Sequence, residues 1–596
     1  MPGNITGAQN SAYSGMKLAE EQLQVISGNV ANVKTPGYTK KVLTYTTNNT
    51  NGINTGVQSS ELIRMVDQEK YNQVIKISNI HNKLSTLAKF YQNVDIAMGD
   101  VNSGASLDGF ISKFNSTLSA LVNRPEVSSV RNEVIDSAKQ MAVEVRTFAN
   151  TIQTNRQIAD NSITESIQII NQNINNLQQI NSNIASANAL DGSVADFLDQ
   201  RDQILRNLSD QMDIRVQHNS DKTVSIFTSN NQPLLTLAAS QLTFNQSTSI
   251  TAGITYIGGG LGGVFVNGQD ITTSIVGGRI GGLLQMRDTI LPNIQAELDL
   301  FTSTLRDNVN AIHNAGTSIT PMNQLTSSRT FAAATAAFAG TGIARFSVVG
   351  PNGNFVANLD LDLSTVTTIN ALMGALNAGL AGSATAPFAN GQLSITANSA
   401  NNGIAITSIG PSAIENTTGL GVSQFFGFND FFVTPGTLNG PGVGLANIID
   451  VKSGLTSSQL ATARLNNTSP LPGILNSNVA INSGDNSNAA ALNAILDSKI
   501  SFAAIGNLNA ITESLPQYIR SIIQSNASMS ASNQKNLETK SANLRLTENA
   551  FDQLSGVNLQ EELTNTMKWQ EYQKSCAEVA RAANQMIDNI IDLVRG

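Results

Sequence analysis

Few side chains in this sequence are placed to do chemistry. His81, His218 and His313 lie far apart and none belongs to an H-E-x-x-H run, so the close histidines that a catalytic zinc draws on are missing. No G-x-S-x-G elbow and no G-x-x-x-x-G-K-[ST] loop occurs. Gly258-Gly259-Gly260-Leu261-Gly262-Gly263 does contain G-x-G-x-x-G, but Val264-Phe265-Val266-Asn267-Gly268 follows. That is a strand and a turn, whereas a dinucleotide site needs a helix there; the stretch reads as a flexible hairpin tip. Asp360 and Asp362 fall in a strand-like run and read as a solvated face. Asp199, Arg201 and Asp202 sit close together near a helix end and read as structural ion pairing. Cys576 is the single cysteine, which excludes an intrachain disulfide; its place on an apolar stripe suits a small buried hydrophobe. The sequence thus predicts no catalytic, cofactor or metal site, and no enzyme.

What the sequence does carry is two helical stripes, one at each end. Ile5, Ala12, Met16, Ala19, Leu23, Ile26, Val30 and Val33 are apolar or small, and from Ala12 the steps alternate four and three. This is the spacing of a helix that packs on another helix. The stripe ends at Thr35-Pro36-Gly37-Tyr38, where Pro36 cannot donate a helical hydrogen bond and Gly37 supplies a turn. At the other end Trp569, Tyr572, Cys576, Val579, Ala583, Met586, Ile590 and Leu593 alternate steps of three and four. Two arrangements satisfy such stripes. The terminal helices dock on a globular core, or they pair with each other and form an assembly surface.

Composition narrows the class. There are 35 basic and 43 acidic residues, a net charge of −8, which argues against a nucleic-acid binder. Charged residues make up only 13%, so Asn, Gln, Ser and Thr carry much of the polarity. No apolar run approaches the roughly 18 residues of a membrane span, and no basic-then-apolar leader follows Met1. A chain of 596 residues has room for about three to five domains.

The order of patterns predicts a mainly α fold with inserted β or α+β parts. Residues 39–45 read as a short strand and 48–56 as a polar turn. Helix runs from about Asp67 to Asp210, with breaks at 99–109 and at Arg124-Pro125-Glu126 and an Asp191-Gly192 turn. Within it Ile163, Ile167, Ile170, Ile174, Leu177, Ile180 and Ile184 form a heptad stripe separated by Asn and Gln rather than by charges. Alternation toward period two over 212–276 predicts a small antiparallel sheet. A helix over 280–314 follows. Residues 316–473 are rich in Gly, Ala, Ser, Thr and Asn with short strand-like runs and one helix near 368–380, an outer insert. Helix returns near Asn488. The expected division is 1–66 with 545–596 as a terminal coiled-coil assembly domain, 67–315 with 474–544 as a discontinuous helical bundle, and 316–473 as the β-rich insert.

Several segments resemble a known family. Gly28-Asn29-Val30-Ala31-Asn32-Val33-Lys34-Thr35-Pro36-Gly37-Tyr38 resembles the N-terminal signature of bacterial flagellar axial proteins, A-N-x-x-T-P-G-Y, carried here by Ala31, Asn32, Thr35, Pro36, Gly37 and Tyr38. Ser555-Gly556-Val557-Asn558-Leu559-Gln560-Glu561-Glu562 resembles the C-terminal segment of the hook-associated protein 1 family, with Gln560 where an acidic residue is usual. Residues 197–205, 424–432 and 484–489 also look like that family. The resemblance implies a non-enzymatic structural protein at the junction of hook and filament, secreted without a cleaved leader and serving motility. It implies self-assembly into a helical ring or tube through the terminal helices, with Leu559 and Leu563 added to the stripe. Implied partners are the hook protein, the second junction protein, a chaperone on the C-terminal helix and the export apparatus. A hook or distal rod protein is the alternative within the class; a secreted adhesin acting through the insert, or an enzyme on a flagellar scaffold, is the alternative outside it. Single stripes with long polar faces also predict that both terminal helices fold only on assembly.

Overall fold

The computed structural model describes residues 3–50, 53–99, 106–190, 192–436, 439–471 and 475–595. Parts of the expected break at 99–109 and of the expected turns at 48–56 and 191–192, together with the boundary at Gly473, fall outside the described residues.

Helix α1 spans Gly3–Ala31 and stops ahead of Pro36. Strands β1 (Lys41–Thr50) and β2 (Ile53–Arg64) follow as one long antiparallel hairpin with Lys41 opposite Arg64. The expected short strand at 39–45 and polar turn at 48–56 are corrected here. β2 mixes polar and apolar residues without a clean period of two, and register shifts after Leu43 and Asn48 bend the ladder. One face of the hairpin lies on α1, close enough that a Cβ on Gly56 would stand 2.2 Å from Ser14 Oγ.

The bundle begins with α2 (Gln68–Met98), capped by the Asp67 side chain, and α3 (Leu107–Asn123), capped by Ser106. Helix α4 runs from Ser128 to Ala189, about 93 Å at the standard rise. Pro125 sits in the turn before it rather than in its first turn. Ile163, Ile167, Ile170, Ile174 and Leu177 are buried in one core with α2, α3 and the helices below, and Ile184 is buried as well. Helix α5 (Ala195–Gln211) completes this half.

The expected sheet appears as two three-stranded antiparallel sheets, 214–218/224–228/233–235 and 242–244/264–266/269–270. Both are hung on α4 by asparagine. Asn171 donates to Leu242 O (2.9 Å) and accepts from Leu242 N (2.8 Å). Asn181 does the same to Val224, at 2.7 and 3.1 Å. An amide carries one donor edge and one acceptor edge, so it stands in for a neighbouring strand. A charged side chain has only one of the two, which gives the Asn-rich face of α4 a physical reason.

The helix expected over 280–314 is α6 (Gly278–Gln285), a π turn (Met286–Ile290) and α7 (Leu291–Ala315). Pro292 cannot donate to the carbonyl four residues back, and the backbone widens just before it.

The region expected as insert divides between cores. Helix α8 (Ile369–Gly379), the sheet 355–362/340–349/403–415 and the short α9 (Val422–Phe426) share a core of Phe338, Phe346, Leu372, Phe425, Phe426 and Phe428. Phe431, Phe432, Ile449 and Leu460, inside the same expected span, instead join the bundle core. Helix α10 (Ser487–Asp497) and the hairpin 500–502/511–513 lead into α11 (Leu515–Ser555), which packs on α2 and passes through residue 545 without a break. Helix α12 (Leu559–Arg595) ends the chain. Among the described residues no helix is long and apolar enough to cross a membrane.

Candidate assembly interface

Helices α1 and α12 lie side by side and run antiparallel. Gln9 donates to Asn584 (2.6 Å), Gly15 meets Cys576, and Asn29 donates to Glu562 (3.0 Å), so rising numbers on one helix match falling numbers on the other. A Cβ on Gly15 would stand 2.7 Å from the Cys576 sulfur, which makes glycine the residue that lets the helices close here. The Trp569 ring sits edge-on to both Tyr45 and Tyr572, with centroids 6.1 and 5.4 Å apart, and so ties α12 to β1.

The stripes expected at this interface divide. On α1, Ala12, Ala19 and Ile26 are buried together with Leu18, Gln22 and Asn29, while Ile5, Met16, Leu23 and Val30 are half-buried. On α12, Ala583 is buried and Trp569 and Cys576 are half-buried. Tyr572, Val579, Met586, Ile590 and Leu593 are exposed, as are Leu559 and Leu563; Leu593 is 83% exposed. The column turned toward α1 is 562, 566, 569, 573, 576, 580, 583 and 587, in steps of four and three. It includes Glu562, Thr566 and Gln573, so hydrophobicity alone points to the adjacent column at 572, 579, 586 and 593. That second column recurs every seven residues; Tyr572 at its head still reaches α1 beside Gly15, and Val579, Met586 and Leu593 beyond it are exposed. The terminal helices thus have neighbours within one subunit, and one face of α12 is used.

The motif residues form the root of this pair. Asn32 donates to Gly28 O and accepts from Thr35 Oγ1, which closes the end of α1 on itself. Ala31, Thr35, Pro36 and Gly37 are exposed and Gly37 has φ +78°. Tyr38 turns inward to Asn29. Ser555 is buried and accepts from Asp67 N through its hydroxyl, and Gly556 and Val557 make the turn between α11 and α12. Asn558 accepts from the N–H groups of Gln560 and Glu561 and so caps α12.

Beneath this root lies a buried ionic cluster. Thr39 donates to Asp199 from its backbone (3.3 Å) and its hydroxyl (2.5 Å). Arg64 spans Asp199 (3.1 Å) and Asp202 (2.5 Å), and Arg201 also pairs with Asp202 (2.8 Å). Lys41 adds Asp196 and Asp199. Burial pulls the Lys40 ammonium down, and Glu561 and Glu562 more than reverse it. Sequence reasoning found Asp199, Arg201 and Asp202 but missed Lys40, Lys41, Arg64, Asn29 and Glu562. For Asn29 and Glu562 a polar residue on the packed side of a helix was the available signal; Lys40, Lys41 and Arg64 lie at or beside the ends of the hairpin strands, outside any helix.

The remaining chemical candidates are placed apart. His313 is fully buried and donates through Nδ1 to Asn429 O (2.6 Å) while Nε2 accepts from Ala461 N (3.0 Å), so it is the neutral tautomer. Burial pushes it down to about 4. His218 lies on the strand 214–218 and His81 on α2. Asp360 holds Arg345 at 2.6 and 2.7 Å, and Asp362 caps a turn at Ser364. Gly258–Gly263 lies in the loop between paired strands 242–244 and 264–266. Among the described residues no group of three or more His, Cys, Asp or Glu is arranged to hold a metal.

Comparison with known proteins follows the same two regions. A family model described as flagellar hook-associated protein FlgK helical domain matches residues 91–324, and one described as flagella basal body rod protein matches 10–39. Flagellar hook-associated protein 1 of Salmonella typhimurium strain LT2 is 25% identical over 317 residues, 52% of this chain and 56% of that one. The chain therefore spans about half the length of that relative in the match. The protein of the same name from Escherichia coli K12 is 22% identical over 603 residues, 98% of this chain and 99% of its own. Among solved structures, the flagellar hook junction protein FlgK from Burkholderia pseudomallei shares the fold with a TM-score of 0.50 and 16% identity, over 80% of this chain and 99% of that one.

Proposed function

We propose that this chain, which belongs to the flagellar hook-associated protein 1 family, is a structural protein of the bacterial flagellum that joins hook to filament. The observation that carries the reading is the antiparallel α1–α12 pair with one apolar column still uncovered. A helix that presents Tyr572, Val579, Met586 and Leu593 every seven residues is built to receive another helix. Copies that pack head to tail through such a face build an open helical array rather than a closed pair. Burying each of these side chains against a neighbour contributes about 1.5–3 kcal/mol. The terminal pair then lines the tube, the bundle surrounds it, and the insert core faces outward.

On this reading the partners are further copies, the hook protein on one side and the second junction protein on the other. A chaperone covers the exposed column of α12 before the flagellar export apparatus carries the chain out. The role is mechanical and no catalytic step is assigned to any residue. A strain lacking the gene tests it. Micrographs should show intact hooks without filaments. Attached filaments in that strain would overturn the junction role, and normal filaments with lost surface adhesion would favour an adhesin.

A further inference from the structure

The chain leaves the terminal elements, α1 with its β1–β2 hairpin, for the bundle after β2 and returns to them between α11 and α12. One side chain sits where these crossings meet. Asn29 is 1% exposed. Its Oδ1 accepts from Tyr38 OH (3.0 Å) and Lys41 N (3.1 Å), and its Nδ2 donates to Lys41 O (2.9 Å) and Glu562 Oε2 (3.0 Å). A primary amide has two hydrogens to give and two lone pairs to receive with, and all four are used. Aspartate has no hydrogens for Lys41 O and Glu562, and glutamine is longer by one methylene. The neighbouring crossings are tied to the same point. Lys40 donates its N–H to Ser555 O (2.8 Å), accepts from Met65 N (2.8 Å), and reaches Glu561 and Glu562 with its ammonium at 2.6 and 3.4 Å.

We infer that Asn29 is a positioning residue that fixes the direction in which the terminal helix pair leaves the bundle, and that Glu562 is the group through which α12 completes the setting. Asn29 lies at the root of α1, so leverage is large. A helix of 29 residues is about 40 Å long, and a tilt of about 10° at its root moves its tip by about 7 Å. That is more than the rise of one helical turn, enough to carry a packing column out of register. The setting is complete only when α12 is docked, because the Glu562 acceptor comes from it. The inference adds to the junction reading but does not depend on it, since it concerns a single subunit.

The test is therefore made on the monomer. Spin labels at Tyr13→Cys on α1 and Gln172→Cys on α4, in a Cys576→Ala background, report the angle as a distance distribution. The unaltered joint should give one narrow distance. Asn29→Ala should at least double the width while helical content by circular dichroism stays constant. Asn29→Asp, which sets two carboxylates against each other, should broaden it as well. Adding Glu562→Gln supplies an amide hydrogen to Asp at 29 and should narrow the distribution again, whereas the same change should not rescue Asn29→Ala. An unchanged width in Asn29→Ala overturns the assignment. If that variant loses its terminal helices, failure of Glu562→Gln to rescue Asn29→Asp overturns it instead. Neither result bears on whether the protein joins hook to filament.

Discussion

The chain leaves its helical bundle in two directions, toward the terminal helix pair and toward the insert, and it closes the two exits with different chemistry. The terminal exit rests on charge: Lys40, Lys41 and Arg64 face Asp199, Asp202 and Glu562 in a buried cluster. The insert exit rests on neutral groups. Thr317 and Ala463 exchange backbone hydrogen bonds at 2.8 and 3.0 Å, so the entering and leaving strands pair. His313 bridges Asn429 and Ala461, and Asn488 donates to Ala461 O at 2.8 Å. Of the charged groups nearby, Arg464 donates to Asn488 and its backbone to Asp485, while burial raises Asp430 and lowers Lys452. A buried charge network holds one geometry stiffly, because any opening leaves an uncompensated charge. A neutral neck costs less to open. On the proposed reading the stiff exit serves the element that keeps register with other copies, and the softer one serves a part with its own core.

Breaking the charged exit should have the largest effect. Asp199→Ala removes the acceptor that Arg64 and Lys41 share and leaves each with one carboxylate, Asp202 and Asp196, and one partner removed from such a network costs about 3–5 kcal/mol. Trp569 is the only tryptophan and touches β1, so its fluorescence during urea unfolding reports this exit. The midpoint should fall sharply in Asp199→Ala and stay put in variants of the insert neck.

Acid should act on the other exit. The His313 imidazole is held near 4, against 6.5 for the free side chain. Between those values the unfolded chain takes up a proton that the folded chain refuses, so stability present above pH 6.5 is lost as pH falls toward 4. The full loss is about 3 kcal/mol for this shift. His313→Gln keeps a donor and an acceptor and does not titrate. Hydrogen exchange at Thr317 and Ala463 should lose protection between pH 6.5 and 4.5 in the parent chain and much less in the variant. Equal loss in both would remove His313 from the account.

A smaller effect is expected at Asn488. Its replacement by alanine deprives the Ala461 carbonyl of a donor in a buried site, a cost of about 1–3 kcal/mol. Protection at Ala463 should drop and the Trp569 midpoint should not move.

How legible these exits were in the sequence follows from what patterning measures. The α4 stripe was plain because Ile163 through Leu177 keep one register and are all buried. On α12 the sequence stripe takes in members of two columns, because the face toward α1 is made largely of small and polar residues, with Ala580 and Ala583 packed close and Glu562 at its end. Hydrophobic periodicity found the apolar surface that one subunit leaves uncovered. β2 was missed since its ladder is set by pairing with β1 rather than by an apolar face. The insert boundary was drawn by composition, but Phe431 and Phe432 belong to the bundle by packing against Phe114 at 6.0 Å. Composition sees residue type, not which core a side chain enters.

The least effect on the monomer, and the greatest on assembly, should come from the uncovered column. Val579 and Met586 are 51% and 55% exposed, so Val579→Asp and Met586→Asp should each change the monomer's stability by no more than about 0.5 kcal/mol. Cells carrying the double variant in place of the parent chain give the most direct test. The account predicts that the protein is secreted with an unchanged melting temperature, and that electron micrographs show hooks bare of filaments. Filaments of normal number and length on those hooks would contradict it.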